Sequence, residues 1–215
     1  MFSKEFFATP HIVVDLETTS TKPNARVLTI GASCVKLHNS TASTSSNFYA
    51  RINPVCPQQN HRDVDVQAML WWGKQNEVAR NEAFGLTLER KVTSQALNLF
   101  AEFIRDTASI YEMPPFLWGN AASFDLSVLK SLYEDTLFSV PWTYRQEMDL
   151  HTLRAMFPTL EYKSAEGTTH VAVNDAQDEA ITLSRILYHL RNQDEIQHSY
   201  ENPETIQNFE GDSRE

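Results

Sequence analysis

Cysteine is nearly absent: Cys34 and Cys56 are the only thiols in 215 residues. Two thiols make no disulfide framework, and Cys34, set in an apolar stretch, reads as a buried free thiol. Glycine is scarce as well, at six residues. No Walker A pattern, no Gly-x-Ser-x-Gly and no Cys-rich metal cluster occurs. No apolar run approaches the ~18–20 residues needed to span a bilayer. The stretch ahead of Asp15 carries one Lys and no long apolar segment, so it does not read as a signal peptide. These absences imply a cytoplasmic protein without membrane contact. Basic residues are few: 18 Lys and Arg stand against 28 Asp and Glu, a net charge of −10. That balance excludes a protein that holds nucleic acid by bulk electrostatics. It does not exclude an enzyme that grips one strand end, because metal-binding carboxylates add negative charge that divalent cations neutralise locally.

What is present suits one folded domain. Hydrophobic residues make up 41% of the chain and aromatics 11%, with four Trp. Residues 11–18 read as a strand covered on both faces, since Ile12, Val13 and Val14 are all apolar. Residues 27–37 read as a second strand, the Ser/Thr/Asn run 38–47 as a hairpin turn, and 48–52 as a third strand. One helix is predicted over 65–80, and a second by the stripe Ala96, Leu99, Phe100, Phe103 and Ile110. Residues 116–118 read as a short buried strand, 123–134 as a third helix, and 148–156 as a strand end leading into a helix. The last helix is predicted over 174–190, with Asn174 as N-cap and a core stripe of Ala176, Ala180, Leu183, Leu187 and Leu190. From residue 193 the chain is polar and acidic, which predicts a mobile tail after a domain spanning 1–192. Strands in meander followed by strand–helix alternation make an α/β domain with a mixed sheet.

The acids are placed oddly. Strand side chains alternate, so Val13, Asp15 and Glu17 share one face while Val14, Leu16 and Thr18 share the other. Asp15 and Glu17 lie about 6.6–6.8 Å apart at Cα, close enough for both carboxylates to converge on one cation. Two like charges in so apolar a strand are costly unless something positive sits between them. Asp125 comes three and four residues before Val128 and Leu129, atop the buried face of its helix. Asp175 opens the last helix, and His170, five residues earlier, fits a loop reaching back over it. Each feature alone has a bland reading: a solvated strand end, an acid in a first helical turn, a surface His. Together they are the parts of a two-metal phosphodiesterase. Hard cations take oxygen ligands, two ions stabilise the attacking and leaving oxygens of an in-line displacement, and a His suits the removal of a proton from water.

The order Asp15-Leu-Glu17, then Asn120-Ala-Ala-Ser-Phe-Asp125, then His170, four residues and Asp175 resembles the three motifs of DEDDh 3′–5′ exonucleases of the DnaQ-like superfamily, across roughly residues 10–190. The segment Leu70-Trp71-Trp72-Gly73-Lys74-Gln75, followed by Glu77-Val-Ala-Arg80, looks like the Trp-Trp segment of phage-type exonuclease A and of ribonuclease T-like exoribonucleases. The resemblance implies a ribonuclease H-like fold with five mixed strands. It implies two Mg²⁺ or Mn²⁺ ions, one held by Asp15, Glu17 and Asp175, the second by Asp15 and, largely through water, Asp125. His170 would be the general base. Leu16, Thr18 and Asn120 would meet the terminal nucleotide, and Phe124, Trp71 or Trp72 would stack on its base. Adjacent helical residues cannot face the same way, so one tryptophan is expected in the core and the other beside the substrate groove. The products implied are nucleoside 5′-monophosphates released from the 3′ end of single-stranded DNA or RNA. Ribonuclease T-like relatives further imply a homodimer.

His61-Arg62-Asp63 superficially resembles a kinase catalytic loop, but Ala68 stands where that loop has Asn and no Gly-rich loop precedes it. The alternative class is a catalytically inactive nucleic-acid-binding module on the same fold, which the loss of any of the five catalytic positions would favour. All five are present.

Overall fold

In the computed structural model, which describes residues 3–38, 41–162 and 169–201, a central strand organises everything else. After a short helix α1 (Lys4–Ala8), β1 (His11–Thr18) runs through the middle of a five-stranded sheet. Its apolar run buries both faces, as the sequence implies. β2 (Val27–His38) pairs antiparallel with β1, and β3 (Thr41–Arg51) antiparallel with β2. On the other side β4 (Phe116–Gly119) lies parallel to β1, and β5 (Glu147–Asp149) parallel to β4. The order β3-β2-β1-β4-β5 is the mixed sheet of the ribonuclease H-like fold.

The helices are α2 (Val66–Trp72), α3 (Glu77–Phe84), α4 (Thr93–Tyr111), α5 (Asp125–Asp135), α6 (Leu150–Met156) and α7 (Ala172–Glu201). Against one sheet face, Leu97 and Phe100 of α4 and Leu126 and Leu129 of α5 pack on Ile12, Val14 and Ile30. Against the other, Ala180, Leu183 and Leu187 of α7 pack on Val13, Val35 and Trp118. The sheet is therefore the middle of three layers, and Asp15 and Glu17 share the face that α7 covers. Among the described residues no helix is long and apolar enough to cross a membrane.

Several elements depart from the sequence expectation. The run expected as a turn at 38–47 is mostly strand: β3 starts at Thr41, which pairs with His38. An edge strand accepts polar residues, and Thr favours extended backbone. The helix expected over 65–80 is two. Gly73 closes α2, its N–H donating to the Met69 carbonyl at 3.0 Å, and Asn76 opens α3 by accepting the Ala79 N–H at 2.8 Å. Asn174 is not the N-cap of the last helix, because its own N–H already donates to the Val171 carbonyl at 2.8 Å, inside the first turn. That helix also continues past Leu190 to Glu201, so the tail expected from residue 193 begins as helix, and residues 202–215 lie outside the described residues.

Gly31 explains why α7 starts where it does. It sits on β2 directly opposite Asp15. A Cβ there would stand 2.2 Å from the Ala172 carbonyl carbon and oxygen. Only hydrogen leaves room for the first turn of α7 to press onto the sheet beside Asp15.

Candidate active site

A cavity of about 530 Å³ opens between the end of β1, the loop after β4, α6 and the start of α7. Asp15, Leu16, Glu17, Asn120, His170 and Asp175 all line it. Residues from three distant stretches of sequence thus meet in one place. Glu17, His170 and Asp175 each offer one ligand atom, and these atoms lie within 4.8 Å of one another.

Local structure fixes each group. Asp125 opens α5 and is buried beneath the cavity, with Oδ2 accepting the Ala121 N–H at 3.4 Å. Gly119 makes that fit: a Cβ there would stand 3.0 Å from Asp125 Oδ2. The loop carrying Asn120 is pinned to α6, since Asp149 Oδ2 accepts the Ala122 N–H at 3.0 Å and the His151 N–H donates to the Asn120 carbonyl at 2.9 Å. His170 sits at φ 63°, in the left-handed region that few non-glycine residues adopt. That turn aims its N–H at Asp175 Oδ2, 2.7 Å away. The backbone of the His thereby orients the carboxylate expected to act with it.

The electrostatics are those of a site built for positive charge. Burial lifts the Asp15 carboxyl well above the usual carboxylate range, and Glu179, Glu17, Asp125 and Asp175 push it further. Glu17 is pushed up to about 8 by burial, then by Asp175 and Asp125. Burial takes Asp125 to about 7, against the pull of the Ala121 N–H. Burial also raises Asp175, opposed by the His170 N–H. Carboxylates crowded this way are held at a cost that a bound cation removes. The donor set, hard carboxylate oxygens, fits Mg²⁺ or Mn²⁺, and the imidazole beside them is left to act on a water.

Not every residue singled out in the sequence reaches the cavity. Trp72 is buried among Leu28, Ala79 and Ala83, and its Nε1 donates to the Thr18 carbonyl at 2.9 Å. It is a core residue and cannot meet substrate. Trp71, its neighbour, is 42% exposed and touches the His170 ring. Phe124 precedes α5 and packs on the main core, away from the cavity lining. Thr18 turns its hydroxyl to the Ser20 carbonyl at 2.7 Å, so it shapes the strand exit. Leu16 borders the cavity while its side chain belongs to the core beneath.

Two lining residues escape a motif-based reading. Arg154 of α6 donates to Asn120 Oδ1 at 2.7 Å and pairs with Glu161. Nothing in its sequence neighbourhood marks it. Glu179 of α7 lies one turn beyond Asp175 and also lines the cavity. Its signal was an acid four residues after Asp175, beside the alanines of the core stripe.

Solved structures share this fold. The chain is similar to the nuclease domain of 3′hExo, a DEDDh family member solved bound to rAMP. The TM-score is 0.56 at 12% identity, over 83% of this chain and 91% of that one. It is similar to a full-length 3′-exonuclease (TM-score 0.53, 11% identity, 83% and 81% covered). A third similar structure is a 3′-exonuclease in a study of 3′-end specific recognition of histone mRNA stem-loop (TM-score 0.51, 10% identity, 86% and 82% covered). At such identities the likeness shows the fold. No curated protein sequence matches the chain. Residues 10–187, from the strand that carries Asp15 and Glu17 to the helix that carries Asp175, match the family model of the 3′-5′ exoribonuclease Rv2179c-like domain. The chain therefore belongs to the Rv2179c-like family of 3′–5′ exoribonucleases, phosphodiester hydrolases with the DEDDh fold.

Proposed function

We propose that the chain is a two-metal exonuclease that trims single-stranded RNA from its 3′ end and releases nucleoside 5′-monophosphates. The observation that carries this reading is the convergence of Glu17, His170 and Asp175 within 4.8 Å beside Asp15, at the mouth of a cavity of nucleotide size. Asp15, Glu17 and Asp175 would hold one divalent cation, and Asp15 with Asp125 the second. Bound there, Mg²⁺ or Mn²⁺ would activate the attacking water and neutralise the charge that develops on the phosphate.

The protein's own groups supply the rest. His170, fixed by its backbone bond to Asp175, takes the proton from the attacking water. Leu16 borders the cavity between the two acids of β1, with its side chain in the core, so its backbone would be the part that meets the terminal nucleotide. Trp71 presents an exposed ring beside His170, placed for stacking on a base. This exposed tryptophan also supports kinship with ribonuclease T-like exoribonucleases. Arg154, held against Asn120, offers positive charge to the phosphate chain inside an otherwise acidic cavity.

The test uses matched RNA and DNA oligomers labelled at the 5′ end, each with a free or a phosphorylated 3′ end. Free-ended RNA should shorten from its 3′ end in Mg²⁺ or Mn²⁺, yield 5′-monophosphates and persist in chelator. Degradation of blocked oligomers at the same rate, or nucleoside 3′-phosphate products, would contradict the reading.

A further inference from the structure

Glu179 has no place in the three-motif scheme, yet it is built into the site. Four residues along α7 from Asp175, it rises about 6 Å on the same helix face. Both carboxylates line the cavity, with Asp15 of β1 beside them. The nearest competing role is a counter-charge for Arg154, whose charge does act on Glu179. Arg154 takes Glu161 as its carboxylate partner, however, and donates to Asn120 Oδ1 at 2.7 Å. Glu179 Oε2 is shut off from solvent and has no hydrogen-bond partner. A buried carboxylate oxygen left unpaired costs free energy unless something absent from the folded chain binds it.

The acids divide into two groups around Asp15. Glu17, Asp175 and His170 form the tight group, within direct coordinating distance of one cation. Asp125 and Glu179 form the other: after burial, Asp125 is the charge that acts most strongly on Glu179, and Glu179 the charge that acts most strongly on Asp15. Asp125 has one oxygen turned to the Ala121 N–H. That side of Asp15 is therefore short of free oxygen ligands, and the unpaired Oε2 supplies one. Among the described residues the wider group lies beyond direct ligand spacing. Mg²⁺ keeps several of its waters, so contact through the water shell fits that width.

We propose that Glu179 is a fifth acidic residue of the metal centre, holding the second divalent cation with Asp15 and Asp125 through the cation's water shell. The proposal rests on the exonuclease reading above. In this role Glu179 is a positioning residue, and it anchors the ion whose place in the three-motif scheme depends on Asp15 almost alone.

The experiment is calorimetric titration of the full chain with Mn²⁺, in wild type, Glu179→Gln and Glu179→Asp, alongside thermal unfolding in chelator. Wild type should bind two ions. Glu179→Gln should weaken one of them by about 10–100-fold, the usual cost of removing a group that orients a metal's ligands or waters, and leave the other unchanged. Glu179→Asp, which keeps the charge but withdraws it by one methylene, should fall between. In chelator Glu179→Gln should melt no lower than wild type, because it removes a buried charge that the metal-free site repels. Unchanged affinity for both ions in Glu179→Gln would overturn the proposal, as would a lower melting temperature in chelator with the ion affinities intact. If that happens while wild type still degrades RNA, this inference fails alone. A wild type that neither binds Mn²⁺ nor degrades RNA brings down the exonuclease reading with it.

Discussion

Trp71 meets His170 edge to face, with ring centroids 4.7 Å apart, while its neighbour Trp72 turns inward to donate to the Thr18 carbonyl. The two tryptophans therefore do different things, and substitution should separate them. An aromatic pair is worth about 0.5–1.5 kcal/mol, so Trp71→Ala should lower turnover by about two- to tenfold through a loosened His170. It should cost little stability, since Trp71 is 42% exposed. Trp72→Ala should lower unfolding free energy by about 3–5 kcal/mol, the range for a buried aromatic. Urea unfolding and steady-state turnover on an RNA oligomer measure both. Equal stability losses in the two variants would be inconsistent with this division.

Gly31→Ala should damage activity without touching any acid. The new Cβ would lie 2.2 Å from the Ala172 backbone, and backbone cannot swing aside as a side chain can. The first turn of α7 must lift, carrying Asp175 away from Asp15. Overpacking of this kind costs about 1–3 kcal/mol, and a displacement of about 1 Å in a catalytic site costs on the order of 10²-fold in rate. A Gly31→Ala enzyme with wild-type turnover would show that α7 does not need that close approach.

How much of this was readable beforehand follows from what each signal depends on. The central strand and its acids were legible because alternation fixes faces: Val13, Asp15 and Glu17 share the face that α7 covers. The α7 core stripe was legible through its period. The break between α2 and α3 was written in Gly73 and Asn76, but the apolar pattern ran across it. The end of β3 was legible over 48–51, but its first half was hidden because a Ser/Thr run suits a turn and an edge strand alike, and pairing with β2 decides between them. Gly31 was not legible as a site residue, and Glu179 only through its spacing of four from Asp175. Gly31 matters only because Ala172 arrives from far along the chain, and Glu179 only because β1 lies beneath it. Motif position does not say where the side chains of Phe124 and Thr18 turn: Phe124 packs half-buried against the main core, and the Thr18 hydroxyl donates to the Ser20 carbonyl.

Divalent cations should stabilise the fold as well as activate it. A ligand present at about 100 times its Kd adds about 2.7 kcal/mol to a state that alone binds it, roughly 5–10 °C in melting temperature for a chain of this size. Asp15→Asn should abolish turnover and remove most of that shift while melting no lower than wild type in chelator, since Asp15 is crowded by Glu179, Glu17, Asp125 and Asp175. Scanning calorimetry with and without Mn²⁺ tests this, and a full Mn²⁺ shift in Asp15→Asn would exclude Asp15 as a ligand.

His170→Ala should leave metal binding intact and cut turnover by about 10²–10⁴-fold, the usual loss for a general base. Because His170 meets the reacting water and not the substrate's bulk, substrate affinity should change far less than turnover. Some loosening of Asp175 is avoided in this variant, since the bond to Asp175 Oδ2 comes from the backbone N–H. A change in turnover of less than about threefold would fall well short of the loss expected for a general base and reduce His170 to a bystander.

An acid-sensitive group lies at the far end of β1, away from the catalytic acids. His11 is fully buried among Phe6, Phe116 and Trp118, and its Nδ1 accepts the Trp118 Nε1–H at 3.0 Å. Burial lowers its pKa from 6.5 to about 4, because the folded interior disfavours the imidazolium. Between those two values the unfolded chain binds a proton that the folded chain refuses, so acid favours unfolding. The stability contribution is complete above about 6.5 and is lost as pH falls through about 4, on the order of 3 kcal/mol in all. His11→Asn keeps an acceptor for Trp118 Nε1 and cannot titrate. Unfolding free energies measured in urea between pH 7 and pH 4 should therefore fall more steeply in wild type than in His11→Asn. Parallel slopes would mean that His11 accepts its proton in the fold, and that the cluster of Phe6, Phe116 and Trp118 opens to water under acid.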